Sequence, residues 1–440
     1  MNIIVAKFGG TSMGNASSLQ SVAEIVSKNT NPITVVVSAT SGTTDELIAL
    51  ANSAMKKGQV ERGVTALIQK HEVILSGLGV SLDLNPFWEE IGKVVQGIQL
   101  ISELSPSIKD RLLSFGERIS SFILAALLNQ KGIKAVPLDA YNFIFTNNHF
   151  GEGKVDFKKT APAIEKQVLR LLKKGIVPVI TGFIGQSESG QYITLGRGGS
   201  DYSAALIASA LHASELQIWT DVDGILNTDP RLIPGAKVLA QLSFNEASEL
   251  AYFGAKVLHP KTIRPAVQDN IPVRILNTFN PGAHGTLITT EKEESIKSVT
   301  YKKNITIINI CSVGMLEAFG FLAKIFDVFA RYNIIVDVVS TSEVSVSLTV
   351  DAGISEEVIA ELETFAHVTV HPKKAIVCLV GEGIRSKKGI LGTLFSAVEE
   401  YDIEMVSQGA SQRNITFLVN EIEAPDVVKK IFNIFFNKSQ

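Results

Sequence analysis

The sequence predicts an α/β layer domain followed by a pair of small α+β modules, and three observations carry that prediction. Short apolar, β-branched runs alternate with amphipathic stretches through residues 2–290. A charged stretch, Thr289-Thr290-Glu291-Lys292-Glu293-Glu294-Ser295, then breaks the pattern. Beyond it the chain matches itself without a gap, pairing Gly320 with Gly389, Leu322 with Leu391, Phe326 with Phe395, Tyr332 with Tyr401, Ile334 with Ile403, Ser342 with Ser411 and Val350 with Val419.

Taken in order, Ile3–Ala6, Ile33–Val37, Ile176–Ile180, Leu216–Trp219 and Val273–Leu276 read as buried strands. Ser17 can cap a helix whose apolar face runs through Leu19, Val22, Ala23 and Val26. Asp45 can open another through Leu47, Ile48 and Leu50. The strand-poor stretch from Val60 to Leu128 reads as several helices extending one side of the sheet. Each repeat copy reads as a glycine-led helix, a strand after the tyrosine, a turn and a further strand. One helix face is Leu322, Ile325, Phe326 and Phe329 in the first copy, and Leu391, Leu394, Phe395 and Val398 in the second.

Bulk properties exclude some classes of function. The 440 residues carry a net charge of −3, with pI near 6.2 and mean hydropathy +0.23, so nothing draws the chain to nucleic acid or a membrane surface. Two cysteines, Cys311 and Cys378, are too few for a disulfide framework and read as reduced thiols packed in the interior. The N-terminus lacks the order of a signal peptide, and no uninterrupted apolar run approaches the ~20 residues of a membrane span, so a cytoplasmic protein is expected.

The chemistry lies in two glycine clusters. Lys7-Phe8-Gly9-Gly10-Thr11-Ser12 follows the first apolar run, where a strand breaks into a tight loop. Glycines let backbone N–H groups approach an anion, and a lysine adds charge, so the pair suits a phosphate. Gly196-Arg197-Gly198-Gly199-Ser200-Asp201 repeats that chemistry far along the chain. There is no P-loop, no protein-kinase motif set, no H-E-x-x-H and no Cys/His metal cluster. Gly381-Glu382-Gly383 lacks the third glycine of a dinucleotide fingerprint and reads as a turn. The seven histidines are scattered and read as surface or packing. What remains fits phosphoryl transfer to a carboxylate, which is ionised at neutral pH and needs no general base.

These motifs resemble those of aspartate kinases of the amino acid kinase superfamily over essentially the full chain. The likeness extends to Ser38-Ala39 with Gly42-Thr43-Thr44, Leu113-Ser114-Phe115-Gly116-Glu117, Thr181-Gly182-Phe183-Ile184-Gly185, Trp219-Thr220-Asp221-Val222-Asp223-Gly224, Thr228-Asp229-Pro230-Arg231 and Phe253-Gly254-Ala255-Lys256-Val257-Leu258-His259-Pro260. The resemblance implies a three-layer α/β/α kinase domain over 1–294, then two ferredoxin-like (βαββαβ) ACT domains over 295–440. The repeat copies would span about 305–372 and 375–437, either in series or interleaved.

It also implies roles. Lys7, Gly9, Gly10 and Asp201 would serve the transferred phosphoryl group, with Asp201 orienting Lys7. Arg197 would grip the aspartate α-carboxylate, Glu117 its ammonium, and Ser38, Thr44 and Ser200 would add hydrogen bonds. Thr220, Asp221, Leu226, Arg231 and Lys256 would line the nucleotide pocket, with Leu226-Asn227 standing where some relatives carry an adenine-stacking tyrosine. Plain structural readings compete: Glu117 as a salt-bridge partner, Asp221 as the cap of a turn. ATP would enter with Mg²⁺ on its phosphates, with no protein ligand named and no tightly bound prosthetic group.

In the repeat half, Asp337 and Glu343 of the first copy align with Val406 and Gln412 of the second. An ammonium removed from water needs an anionic partner, so the first copy is expected to bind an amino acid effector. Two acids there favour lysine over threonine. Met315, Phe321, Leu322, Val336, Asp337, Ser342 and Glu343 are the candidate contacts. The expected product is 4-phospho-L-aspartate for lysine, threonine and methionine synthesis, made by a homodimer paired through the ACT domains. No dehydrogenase is expected after the second repeat. The alternatives are a sister kinase acting on another carboxylate and a catalytically inactive amino acid sensor.

Overall fold

The computed structural model describes residues 1–253, 260–315 and 319–437. Contacts divide them into two units. The first holds Met1–Ile225, Ala240–Phe244 and Leu258–Thr290; the second holds Leu226–Leu239, Asn245–Val257 and Glu291–Gln440. Two stretches from within the expected catalytic half thus belong with the repeat half.

The strands are β1 Ile4–Phe8, β2 Ile33–Val37, β3 Ala135–Leu138, β4 Val177–Thr181, β5 Ile184–Gln186, β6 Tyr192–Thr194, β7 Glu215–Thr220, β8 Gln241–Ser243, β9 Val273–Asn277 and β10 Thr286–Thr289 in the first unit. The second has β11 Ile296–Cys311, β12 Val336–Thr341, β13 Ser345–Asp351, β14 His367–Gly381, β15 Met405–Ser407 and β16 Asn414–Asn420. All five strands expected from the apolar runs are present.

In the first unit the sheet order is β3-β4-β2-β1-β7-β9-β10-β8, parallel except where β10 meets β9. Residues of β1 alternate between faces. Ile4, Ala6 and Phe8 join a core with Leu19, Val22, Leu47, Leu124 and other side chains of the helices Ala16–Lys28, Thr43–Met55, Val60–Leu78, Asn85–Ile101 and Pro106–Gln130. Val5 and Lys7 therefore point to the opposite face, where the helix Gly199–Ala210 packs across β1, β7 and β2. Three layers result. In an open parallel sheet the crevice lies beyond the carboxyl ends of the strands, where the chain leaves the sheet on either side. The loops after β1, β2, β4 and β7 meet there.

Local details correct the sequence reading. The first helix is capped by Asn15, whose side chain accepts from the Ser18 N–H at 3.0 Å while Ser18 Oγ accepts from the Asn15 N–H, so Ser17 lies inside the first turn. The second begins after Gly42, which holds φ of +78° with no side-chain cap, and Asp45 sits within its first turn. Among the described residues, Pro106–Gln130 is the one helix long and apolar enough to cross a membrane. Most of its length is buried in the fold, where it carries Asp110 and Glu117 toward the crevice.

The second unit has a six-stranded sheet, β12-β13-β11-β14-β16-β15. Gly320 and Gly389 take φ of +80° and +79° at the starts of helices Phe321–Arg331 and Ile390–Ser396, so the matched glycines do the same job in both copies. The long strands β11 and β14 serve both copies. Ile305–Cys311 pairs with β13 in the first, while Val299 and Ile296 join the core of the second with Leu394, Phe417 and Ile431. The first core is built on Ile325, Val328, Phe329, Leu348 and Leu362, and Leu322 and Phe326 stand exposed instead. Cys378 is buried as expected, but Cys311 is exposed because it follows buried Ile310 on an alternating strand.

Candidate active site

A cleft of about 930 Å³ lies at the carboxyl ends of β1, β2, β4 and β7. Strand alternation sends Lys7 to the face covered by the helix Gly199–Ala210, and Asp201 lies in the first turn of that helix. Their ion pair closes at 2.7 Å, with both side chains at most 15 % exposed. The helix N-terminus adds partial positive charge at the same place.

Glycines set how closely these parts approach. Gly198 starts the helix at φ +71°. A Cβ on Gly182 would lie 2.7 Å from Ser200 Cβ, so the loop after β4 packs directly on the helix start and Ser200 is buried. Gly9 donates its N–H to the Trp219 carbonyl at 3.1 Å, which corrects the expectation that both Gly9 and Gly10 offer amides to a phosphate. What Gly9 supplies is closeness: a Cβ there would sit 3.5 Å from Lys7 Nζ. Phe8 stacks on Trp219 at 5.8 Å, and Ser12 Oγ bonds Thr278 Oγ1 at 2.7 Å, so the loop is tied to β7 and to the segment after β9.

On the other wall, Glu117 is buried in the helix Pro106–Gln130. A Cβ on Gly116 would lie 2.7 Å from Ala39 Cβ, so glycine lets the helix reach the loop after β2. There Glu117 Oε1 accepts from the Ala39 N–H at 3.0 Å. Its Oε2 is buried without a hydrogen-bond partner, and no salt bridge forms among the described residues. Burial pushes its carboxyl up to about 8, opposed by the Ala39 N–H and by the charge of Lys7. Such a group awaits a cation. Ser38, Thr44 and Arg197 also line the cleft, Arg197 exposed on its turn.

Thr220 and Asp221 line the cleft too, with the Thr220 hydroxyl donating to Asp221 Oδ1 at 3.1 Å. Leu226 and Arg231 belong to the second unit, where Arg231 forks onto Asp229 at 2.7–3.2 Å and lowers that carboxyl's pKa. Lys256 lies outside the described residues. Of the effector candidates, Met315, Phe321 and Val336 pack on the core of the first copy, Leu322 is exposed, and Ser342 and Glu343 form the exposed turn between β12 and β13. Asp337 is buried against Lys302 Nζ at 3.1 Å and the Tyr252 hydroxyl.

Sequence motifs missed the braces. His71 is buried, its Nε2 3.2 Å from Thr40 Oγ1 and its Nδ1 2.7 Å from the Leu67 carbonyl, and burial lowers its pKa. Lys70 donates to the Ser41 carbonyl at 2.6 Å and to Thr43 Oγ1 at 3.0 Å. Both hold the loop after β2. Asp110 holds the segment before Arg197. The site therefore offers a paired lysine, a helix N-terminus, an exposed arginine and a buried carboxyl with one unpartnered oxygen around one cleft.

Comparison with known proteins agrees with this geometry. Residues 2–277 match the model of the amino acid kinase family, and 308–364 with 377–435 match an ACT domain model. The chain is 37% identical over 450 residues to lysine-sensitive aspartokinase 3 of Escherichia coli, covering 99% of each. It superposes on the crystal structure of E. coli aspartokinase III in complex with aspartate and ADP (R-state) with a TM-score of 0.83 at 36% identity, covering 99% of this chain and all of that one. With the complex of that enzyme with lysine and aspartate (T-state) the TM-score is 0.82 at the same identity and coverage. Fold, cleft and full-length similarity converge, and the chain belongs to the amino acid kinase family and, within it, to the aspartokinases.

Proposed function

We propose that the chain is an aspartate kinase, transferring the terminal phosphoryl group of ATP to the side-chain carboxylate of L-aspartate. The observation that carries the reading is the pairing, in one cleft, of Lys7–Asp201 with a buried Glu117 whose Oε2 has no partner. The substrate ammonium meets Glu117 and its α-carboxylate meets the Arg197 fork, with Ser38, Thr44 and Ser200 adding hydrogen bonds. That leaves the side-chain carboxylate directed at Lys7 and the Gly9–Gly10 loop. It is already ionised, so no base removes a proton before attack. One carboxylate oxygen bonds to the γ-phosphorus as the bond to the β–γ bridging oxygen breaks, and ADP leaves. Lys7, held by Asp201, neutralises charge on the migrating group.

Thr220 and Asp221 line the nucleotide end of the cleft. Among the described residues no three His, Cys, Asp or Glu side chains are grouped to hold a metal ion. Magnesium enters as part of the nucleotide substrate, held through its phosphates. Two free thiols fit a cytoplasmic setting, which cell fractionation checks. Release of ADP that depends on aspartate and is absent with glutamate or N-acetylglutamate is the expected result; equal rates with glutamate would reassign the substrate.

Lysine is the proposed effector, bound by the first regulatory copy. The lysine-sensitive relative and its lysine complex support this. So does an asymmetry between the copies. Ser342 and Ser345 bond each other at 2.6 Å, whereas their counterparts Ser411 and Asn414 are both taken by Glu249, at 2.7 and 2.6 Å. The second copy's turn is thus already filled by a carboxylate of its own chain. An effector ammonium must share Asp337 with Lys302 and Tyr252. Asp337→Ala should raise the lysine concentration for half-inhibition at least tenfold, as roughly 1.4 kcal/mol of lost contact would; unchanged inhibition removes Asp337 from the site.

A homodimer paired through the regulatory half completes the proposal. Exposed apolar side chains are present on the first copy: Val313 at 90 %, Phe319 at 104 % and Ile335 at 74 %, with Leu322, Phe326 and Val344 exposed as well. Light scattering should give twice the chain mass, and a monomer at micromolar concentration would contradict it.

A further inference from the structure

Asp110 is a second buried acid on the cleft side of the helix Pro106–Gln130, two turns before Glu117, and none of the motifs quoted above contains it. It is 2 % exposed, yet it forms no ion pair among the described residues. Its partners are neutral donors from two distant segments. Oδ2 accepts from the N–H of Gly151 and of Thr194, both at 2.8 Å, and Oδ1 accepts from Thr194 Oγ1 at 3.0 Å.

Both partners touch the turn that carries Arg197. Thr194 ends β6, and Leu195-Gly196-Arg197 follow it directly. Gly196 takes φ of +77°, and a Cβ there would lie 3.3 Å from the Gly151 carbonyl oxygen and 3.2 Å from Glu152 Cγ. The Gly151–Glu152 segment therefore lies flat against the turn. Gly153 closes the arrangement by donating its N–H to the Thr194 carbonyl at 2.9 Å. Arg197 is exposed, so its aim depends on this backbone rather than on packing of its own side chain.

We propose that Asp110 is a positioning residue for the aspartate α-carboxylate: it clamps Thr194 and Gly151 so that the Gly196 turn presents Arg197 to the cleft. The proposal rests on Arg197 as the partner of that carboxylate. The clamp needs acceptors more than charge. An asparagine can turn its amide so that the carbonyl accepts both N–H groups while its NH₂ donates to the Thr194 hydroxyl, which accepts as well as donates.

Steady-state kinetics of the full-length enzyme test it. Asp110→Ala should raise KM for aspartate about 10- to 100-fold, the scale of a misplaced binding group, with KM for ATP and kcat within about threefold. Asp110→Asn should stay within about threefold throughout. Because Asp110 acts through Arg197, adding Asp110→Ala to Arg197→Ala should raise KM little beyond Arg197→Ala alone. A merely structural role would lower the melting temperature without splitting the two KM values, and that result overturns the proposal. So does an additive double variant. Should Asp110→Ala not fold, Thr194→Val removes one bond of the clamp and should shift KM for aspartate alone, by less; no shift counts against the clamp. If Arg197→Ala itself leaves KM for aspartate unchanged, the assignment of Arg197 fails; if it raises KM and Asp110→Ala does not, only the role of Asp110 fails.

Discussion

Lys7→Met lowers kcat by about two to three orders of magnitude while both KM values move only a few-fold. Removing one preorganised charge from a phosphoryl- or acyl-transfer site has effects of that size. Here the effect lies at the upper end for a specific reason. The 2.7 Å pair with Asp201 leaves, after substitution, a carboxylate at most 15 % exposed with no cation beside it, facing a more negative phosphate. Pre-steady-state measurement of ADP formation separates this from slow product release. A loss confined to KM for ATP would make Lys7 a ground-state contact instead.

Glu117→Gln produces the second large effect, on aspartate binding. The substitution keeps the acceptor for the Ala39 N–H and removes the carboxyl that ionises to meet the substrate ammonium. Losing one partner of a buried charge pair costs about 2–5 kcal/mol, so KM for aspartate rises by roughly one and a half to three and a half orders of magnitude. The pH dependence identifies the cause. Burial raises the Glu117 carboxyl to about 8, so the free cleft holds it protonated at neutral pH. A bound ammonium requires it ionised, and binding below pH 8 releases one proton. In the wild type kcat/KM for aspartate therefore rises about tenfold per pH unit toward 8 and then levels. In Glu117→Gln that slope disappears. A wild-type profile flat between pH 6 and 8 would show that Glu117 is already charged.

The parts of the fold legible in the sequence were those set by short-range pattern. Buried parallel strands announce themselves as apolar runs, and the alternation within β1 alone sends Lys7 toward the helix that carries Asp201. The matched glycines Gly320 and Gly389 marked two helix starts because only the left-handed backbone distinguishes them. Other features depend on residues far apart. Asp110 meets Thr194 across 84 positions and Gly151 across 41, and His71 meets Thr40 across 31. A buried acid or histidine looks the same in sequence whether it braces a loop or merely packs. The first helix cap failed for the opposite reason. Asn15, Ser17 and Ser18 are all competent caps within four residues, and only side-chain geometry selects Asn15. The faces of the first regulatory helix were misjudged at Leu322 and Phe326, because an apolar stripe does not say whether it meets the chain's own core or another surface.

This cleft is proposed to phosphorylate the side-chain carboxylate of a free amino acid. Hydroxylamine trapping tests it most directly: the enzyme is incubated with ATP and aspartate, and the adduct is identified by mass spectrometry. The expected product is the 4-hydroxamate of aspartate, formed in proportion to ADP, abolished in Lys7→Met and suppressed by lysine in the wild type. No hydroxamate from folded enzyme, or a 1-hydroxamate from the α-carboxylate, would contradict it.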